Sequence, residues 1–85
     1  MTTLEIIEKL KEIILPYIKN KDAFDNLTQS TDFINDLQIN SANLVDVILD
    51  IEEVFEIDID NDSMEKMLDV GAAISIIETK LAQKS

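Results

Sequence analysis

Three stretches of this chain repeat apolar residues at intervals of three and four, and only one glycine and one proline occur in its 85 residues. Helical spacing of that kind gives each stretch one apolar face, which needs a partner face to bury it. The clearest face runs through Leu44, Val47, Ile48, Ile51, Val54 and Phe55. An earlier one uses Ile6, Ile7, Leu10, Ile13, Ile14 and Tyr17, and a later one Val70, Ala73, Ile74, Ile77 and Leu81. No convincing strand and no internal repeat is visible. The pattern predicts an all-α fold: a small helical bundle of three main helices plus one short helix, with a long loop between the first two. The length corresponds to one domain, 1–85, that buries about 60–70% of its unfolded surface.

Helix boundaries follow from capping chemistry. Thr2 and Glu5 are spaced as a capping box, in which each side chain satisfies a backbone donor of the other. Pro16 predicts the end of the first helix, because it lacks an N–H and disfavours helical geometry at Leu15. Residues 20–36 show no sustained period and read as a loop pinned by Phe24, Leu27 and Phe33. Asn40 and Ser41 are the cap candidates of the second helix. Ile57 and Ile59 then alternate with acids in an extended connector. Asp62 and Glu65 predict a capping box on a short helical turn at 63–68, and Asp69 caps the last helix.

Charge narrows the partners. The net charge is −11 and every base is a lysine. Between Asp36 and Asp69 eleven acids face only Lys66, so that segment carries −10. Such a field repels nucleic acid and anionic lipid and attracts basic protein surfaces or cations. No apolar run reaches the roughly 18 residues of a membrane span, and the N-terminus has no basic-then-apolar leader pattern. The expectation is a soluble, cytoplasmic protein. Without cysteine there is neither a disulfide framework nor a thiolate metal site.

Catalysis by the chain itself is not expected. A nucleophilic serine needs a base, usually histidine, and there is none. Asp58, Asp60, Asp62 and Asp69 fall at positions one, three, five and twelve of a calcium loop. The match then fails: Ser63 replaces the turn glycine, Glu65 an apolar residue, Lys66 stands at position nine, and Asp69 is shorter than the bidentate glutamate of position twelve. No specific metal site is expected, only diffuse cation binding. Ser41 is different. With Asn40 available as the cap, Ser41 is free to present its hydroxyl at the positive end of a helix, which suits a phosphate. Ser30, Ser63, Ser75 and Ser85 lack that setting.

The run Asp36-Leu37-Gln38-Ile39-Asn40-Ser41-Ala42 carries a resemblance. It is followed by Leu44-Val45-Asp46 and by Ile51-Glu52-Glu53-Val54-Phe55-Glu56-Ile57-Asp58-Ile59, and Val70-Gly71 opens the last helix. Together these resemble the acyl carrier proteins, with their Asp-Leu-x-x-Asp-Ser-Leu motif, acidic helix ending in Glu-Glu-x-Phe, and Val-Gly helix start. The resemblance covers nearly the whole chain as a single acyl-carrier domain. It implies that Ser41 receives 4'-phosphopantetheine from coenzyme A through a phosphopantetheinyl transferase, and that the arm's thiol holds acyl groups as thioesters. Implied partners are a ketosynthase, an acyltransferase and other acyl-processing enzymes with basic docking patches, the carrier itself being a monomer. The expected docking residues are Asp36, Ala42, Val45, Asp46, Leu49, Asp50 and Glu53. Val45 and Leu49 lie one turn apart, flanked by the acids, although they could equally widen the core face.

Two departures from the family motif stand beside the serine: Asn40 replaces Asp and Ala42 replaces Leu. Asn43, often acidic in the family, is a third uncharged position. These changes suggest a dissociated fatty-acid or polyketide-like pathway of a dedicated, secondary kind rather than housekeeping synthesis. The alternatives are an aminoacyl or peptidyl carrier, and an unmodified acidic helical module that only docks basic partners.

Overall fold

The computed structural model describes residues 2–84; Met1 and Ser85, the ends of the expected domain, lie outside the described residues. Helix α1, Thr3–Ile14, begins at the expected capping box. The Thr2 hydroxyl accepts from the Glu5 N–H at 3.2 Å, and Glu5 Oε1 accepts from the Thr2 N–H at 3.3 Å. Ile6, Leu10 and Ile14 are buried. Pro16 acts as predicted: α1 stops at Ile14 and the chain tightens into a 3-10 turn, Leu15–Tyr17.

The segment 20–36 is not wholly a loop. A five-residue helix, α2 (Lys21–Asp25), starts at Asn20, whose side chain accepts from the Ala23 N–H at 3.2 Å. One helical turn and a half is too short to display a periodic apolar face, which is why spacing misses it. Phe33 is buried, and Phe24 and Leu27 pack against the core, so the three expected pins hold the segment down. Its far end is stitched to residues 68–70. Phe33 donates to the Leu68 carbonyl at 3.1 Å and Val70 to Thr31 at 3.0 Å, an isolated antiparallel bridge at Asp32 and Asp69.

Helix α3, Ser41–Phe55, buries Leu44, Val47, Ile48, Ile51 and Phe55. Val54, expected in that face, is 46% exposed. It is turned about 100° from Phe55 around the axis, toward solvent. Glu56 ends α3 in the left-handed region (φ 54°). The Lys84 ammonium lies 3.5 Å from the Phe55 carbonyl and 3.7 Å from the Glu56 carboxylate, placing positive charge at the negative end of α3. Ile57 and Ile59 then run extended and buried, with the Glu52 carboxylate accepting from the Ile59 N–H at 2.8 Å.

Helix α4, Asn61–Lys66, begins two residues earlier than the Asp62–Glu65 spacing predicts. Asp60 is the cap, accepting from the Ser63 N–H at 2.7 Å with the Lys80 ammonium 3.5 Å away. Ser63 and then Lys80 hold its carboxyl below the usual range. Asp62 instead adds negative charge inside the first turn. Helix α5, Val70–Lys84, is capped by Asp69, which accepts from the Ala72 N–H at 2.7 Å. It buries Val70, Ala73, Ile74 and Ile77, while Leu81 is half-buried. Among the described residues there is no strand, and no helix is long and apolar enough to cross a membrane.

Candidate functional site

The approach to α3 is set by two buried anchors and a left-handed residue between them. Leu37 and Ile39 are both buried, and Gln38 turns the backbone at φ 59° so that both can enter the core. The Ile39 N–H donates to the Phe33 carbonyl at 2.9 Å, fixing the segment before the helix. Asn40 follows in an extended conformation, and its Oδ1 accepts from the Ala42 N–H at 2.8 Å. Its carbonyl accepts from Asn43 at 2.9 Å and Leu44 at 3.0 Å. Asn40 is therefore the cap, and Ser41 is the first helical residue.

Ser41 is exposed, and its hydroxyl makes no hydrogen bond among the described residues. No acid stands in the first turn of α3, so that turn sets no anionic side chain against a phosphate at the positive end of the helix. A phosphodiester on the Ser41 oxygen fits that setting. The other serines are placed differently. Ser63 is half-buried against the Asp60 cap, Ser30 sits in the α2–α3 segment, and Ser75 lies in the middle of α5. Ser85 lies outside the described residues.

The expected docking residues divide into two groups. Ala42, Val45, Asp46, Leu49 and Glu53 are all exposed and span an arc of about 100° around α3. Val45 is 47% exposed and Leu49 52%, so neither widens the core face. Asp36 and Asp50 are bonded within the protein. Asp36 accepts from the Asp32 N–H at 2.7 Å and tightens the turn before α3. Asp50 is half-buried and accepts from the Tyr17 hydroxyl at 3.1 Å. That bond pushes the Tyr17 phenol above its ordinary range, with lesser contributions from its burial and from the charges of Asp50 and Asp46. Sequence spacing groups Asp50 with Asp46 and Glu53 and misses its partner. The available signal is a tyrosine at an apolar helical position, whose hydroxyl needs an acceptor once the ring packs.

The carboxylates of the imperfect calcium loop do not converge. Asp60 is committed to Ser63 and Lys80, and among the described residues no three acids gather as a cation site would require.

No protein-family model matches the chain. It is nevertheless 40% identical over 76 residues to an acyl carrier protein of Picosynechococcus sp., an alignment covering 89% of this chain and 91% of that protein. An acyl carrier protein of Lactobacillus acidophilus is 37% identical over 79 residues, 93% of this chain and 96% of its own. One from Desulforapulum autotrophicum is 36% identical over 77 residues, 91% and 99% respectively. Relatedness of this extent, along nearly the full length of each relative, means that the chain belongs to the acyl carrier protein family.

Proposed function

We propose that Ser41 carries a 4'-phosphopantetheine arm and that the protein ferries acyl intermediates between enzymes of a dissociated fatty-acid or polyketide-like pathway. As an acyl carrier protein it is a carrier and not a catalyst. The observation that carries the assignment is the exposed, unbonded Ser41 hydroxyl on the first turn of α3, freed by the Asn40 cap. In loading, the Ser41 oxygen forms a phosphodiester with the pantetheine-bearing phosphate of coenzyme A. The adenosine bisphosphate leaves, and the serine proton passes to the transferase. The attached arm supplies a thiol that holds acyl groups as thioesters. Asn40 holds the backbone around the serine, and the helix dipole favours the new negative charge.

Ala42, Val45, Asp46, Leu49 and Glu53 form the surface on which partners meet the loaded serine. A basic patch around a shallow apolar centre is its complement, as expected of a transferase, a ketosynthase or an acyltransferase. The neutral Asn40-Ser41-Ala42-Asn43 collar supports a dedicated, secondary pathway with its own enzymes. A cytoplasmic monomer suits exchange among separate partners.

Intact mass tests the attachment. Wild type incubated with coenzyme A and a broad-specificity phosphopantetheinyl transferase gains one phosphopantetheine, and Ser41→Ala gains none. Ser41→Ala keeps the wild-type melting temperature, because the cap belongs to Asn40. Modification that persists in Ser41→Ala, or a wild type that never gains mass, rejects the assignment. The latter result favours the unmodified docking module.

A further inference from the structure

Asp46, Asp50 and Glu53 recur at intervals of four and three, the pattern of one continuous acidic row on a helix. The structure breaks that row. Asp46 and Glu53 are exposed, whereas Asp50 between them is half-buried and bonded to the hydroxyl of Tyr17 at 3.1 Å. Tyr17 is the last residue of the 3-10 turn after α1, so this single bond joins the end of α1 to the middle of α3. Around α3, Asp50 is also turned about 100° away from Leu49, toward the flank on which the α1 end lies.

We propose that Tyr17 removes Asp50 from the partner surface, so that docking runs on Asp46 and Glu53 around Ala42, Val45 and Leu49, while Asp50 anchors the end of α1. The proposal rests on the docking reading given above and narrows it. Asp46 and Glu53 are seven residues apart, about 10 Å along the axis. The cognate surface is therefore a pair of basic groups at that separation, astride an apolar patch, and not an unbroken basic strip. Tyr17 is a positioning residue in this scheme. Its packing against the core and its bond to Asp50 hold the carboxylate in place.

Two independent readouts test it. Tyr17 is the single tyrosine and the chain has no tryptophan, so phenolate absorbance reports on that one hydroxyl. Asp50 and Asp46 of α3 are the charged groups facing it. In Asp50→Asn the phenol titrates at lower pH than in wild type, and in Asp46→Asn it moves less. Loading of Ser41 by a broad-specificity transferase at low salt supplies the second readout. Asp46→Asn and Glu53→Gln each lower kcat/KM about three- to tenfold and flatten its salt dependence, while Asp50→Asn changes it by less than about twofold. Tyr17→Phe, which removes the bond and keeps the charge, gives Asp50 back to the surface and steepens the salt dependence. A phenol titration unmoved in Asp50→Asn overturns the bond in solution. An Asp50→Asn loading defect as large as that of Asp46→Asn overturns the split row. Failure of every variant and of wild type to load would instead strike at Ser41, leaving the phenol titration to decide the Tyr17–Asp50 pairing by itself.

Discussion

Gln38 occupies a backbone region that side chains with a Cβ enter at a cost of roughly 1–2 kcal/mol. It does so three residues before the candidate attachment site, where Leu37 and Ile39 must both reach the core. Gln38→Gly should therefore raise stability by about 0.5–1 kcal/mol, the relief of strain exceeding the glycine's extra freedom when unfolded. Gly71 is the opposite case. A Cβ there would lie 2.9 Å from the Gln29 carbonyl oxygen, to which the Gly71 N–H donates at 2.8 Å. Gly71→Ala must push the α2–α3 segment off the start of α5 and should cost about 1–3 kcal/mol. Chemical denaturation of both variants checks the pair. Shifts of opposite sign, the Gly71→Ala loss being the larger, support the local geometry, while a destabilised Gln38→Gly would contradict the left-handed turn. The Val-Gly pair is visible in the sequence, but its reason is a backbone carbonyl 42 residues away, which no local pattern encodes.

At the scale of elements, what the sequence revealed and what it hid divide by range. The capping box at Thr2 and Glu5, the stop at Pro16, the Asp69 cap and, Val54 apart, the faces of α1, α3 and α5 are local chemistry, and they stand as expected. Where two neighbouring positions within a turn offer the same local chemistry, tertiary contacts choose. Asp60 and Asp62 can each cap α4, and Asp60 is the one with Lys80 beside it. Val54 and Phe55 are both apolar at the end of α3, and only Phe55 is buried. The start of α3 shows the same limit in the candidate site. The free serine and its Asn cap could be read from spacing, whereas the internal commitments of Asp36 and Asp50 could not. The neutral collar of α3 leads to a prediction at this scale. Asn40→Asp combined with Ala42→Leu keeps a cap, adds charge at the positive helix end and enlarges the apolar surface beside Ser41. It should raise the acyl-transfer rate with a housekeeping fatty-acid partner. An unchanged rate would mean that the collar does not encode partner choice.

The whole molecule carries its charge unevenly, and this sets how its stability answers to salt. The segment from Asp36 to Asp69 holds −10 of the net −11 and comprises α3, α4 and the connector between them. Added salt acts on two opposing populations. It weakens the three ion pairs among the described residues, Lys21–Asp25, Lys80–Asp60 and Lys84–Glu56. It also screens repulsion among eleven carboxylates. Exposed pairs of that kind each contribute about 0–1 kcal/mol, so the loss is small. The repulsion has many more terms, and it acts across a molecule of 36 × 25 × 19 Å, which the ~30 Å Debye length of ~0.01 M salt nearly spans and the ~8 Å of ~0.15 M does not. Screening therefore wins. Raising sodium chloride from ~0.01 to ~0.15 M should lift the melting temperature by about 5–10 °C, equivalent to 1–2 kcal/mol in a domain of this size. Magnesium should act likewise at lower concentration, with a gradual response. Asp58→Asn combined with Glu65→Gln should raise the melting temperature at low salt and shrink the salt response, since both acids are exposed and neither has a side-chain hydrogen bond or ion pair among the described residues. Calorimetry across the salt series separates this from site binding. A sharp, saturating transition at one equivalent of calcium would mean that Asp58, Asp60 and Asp62 do converge on an ion, and that the charge of this half of the molecule is there to hold it.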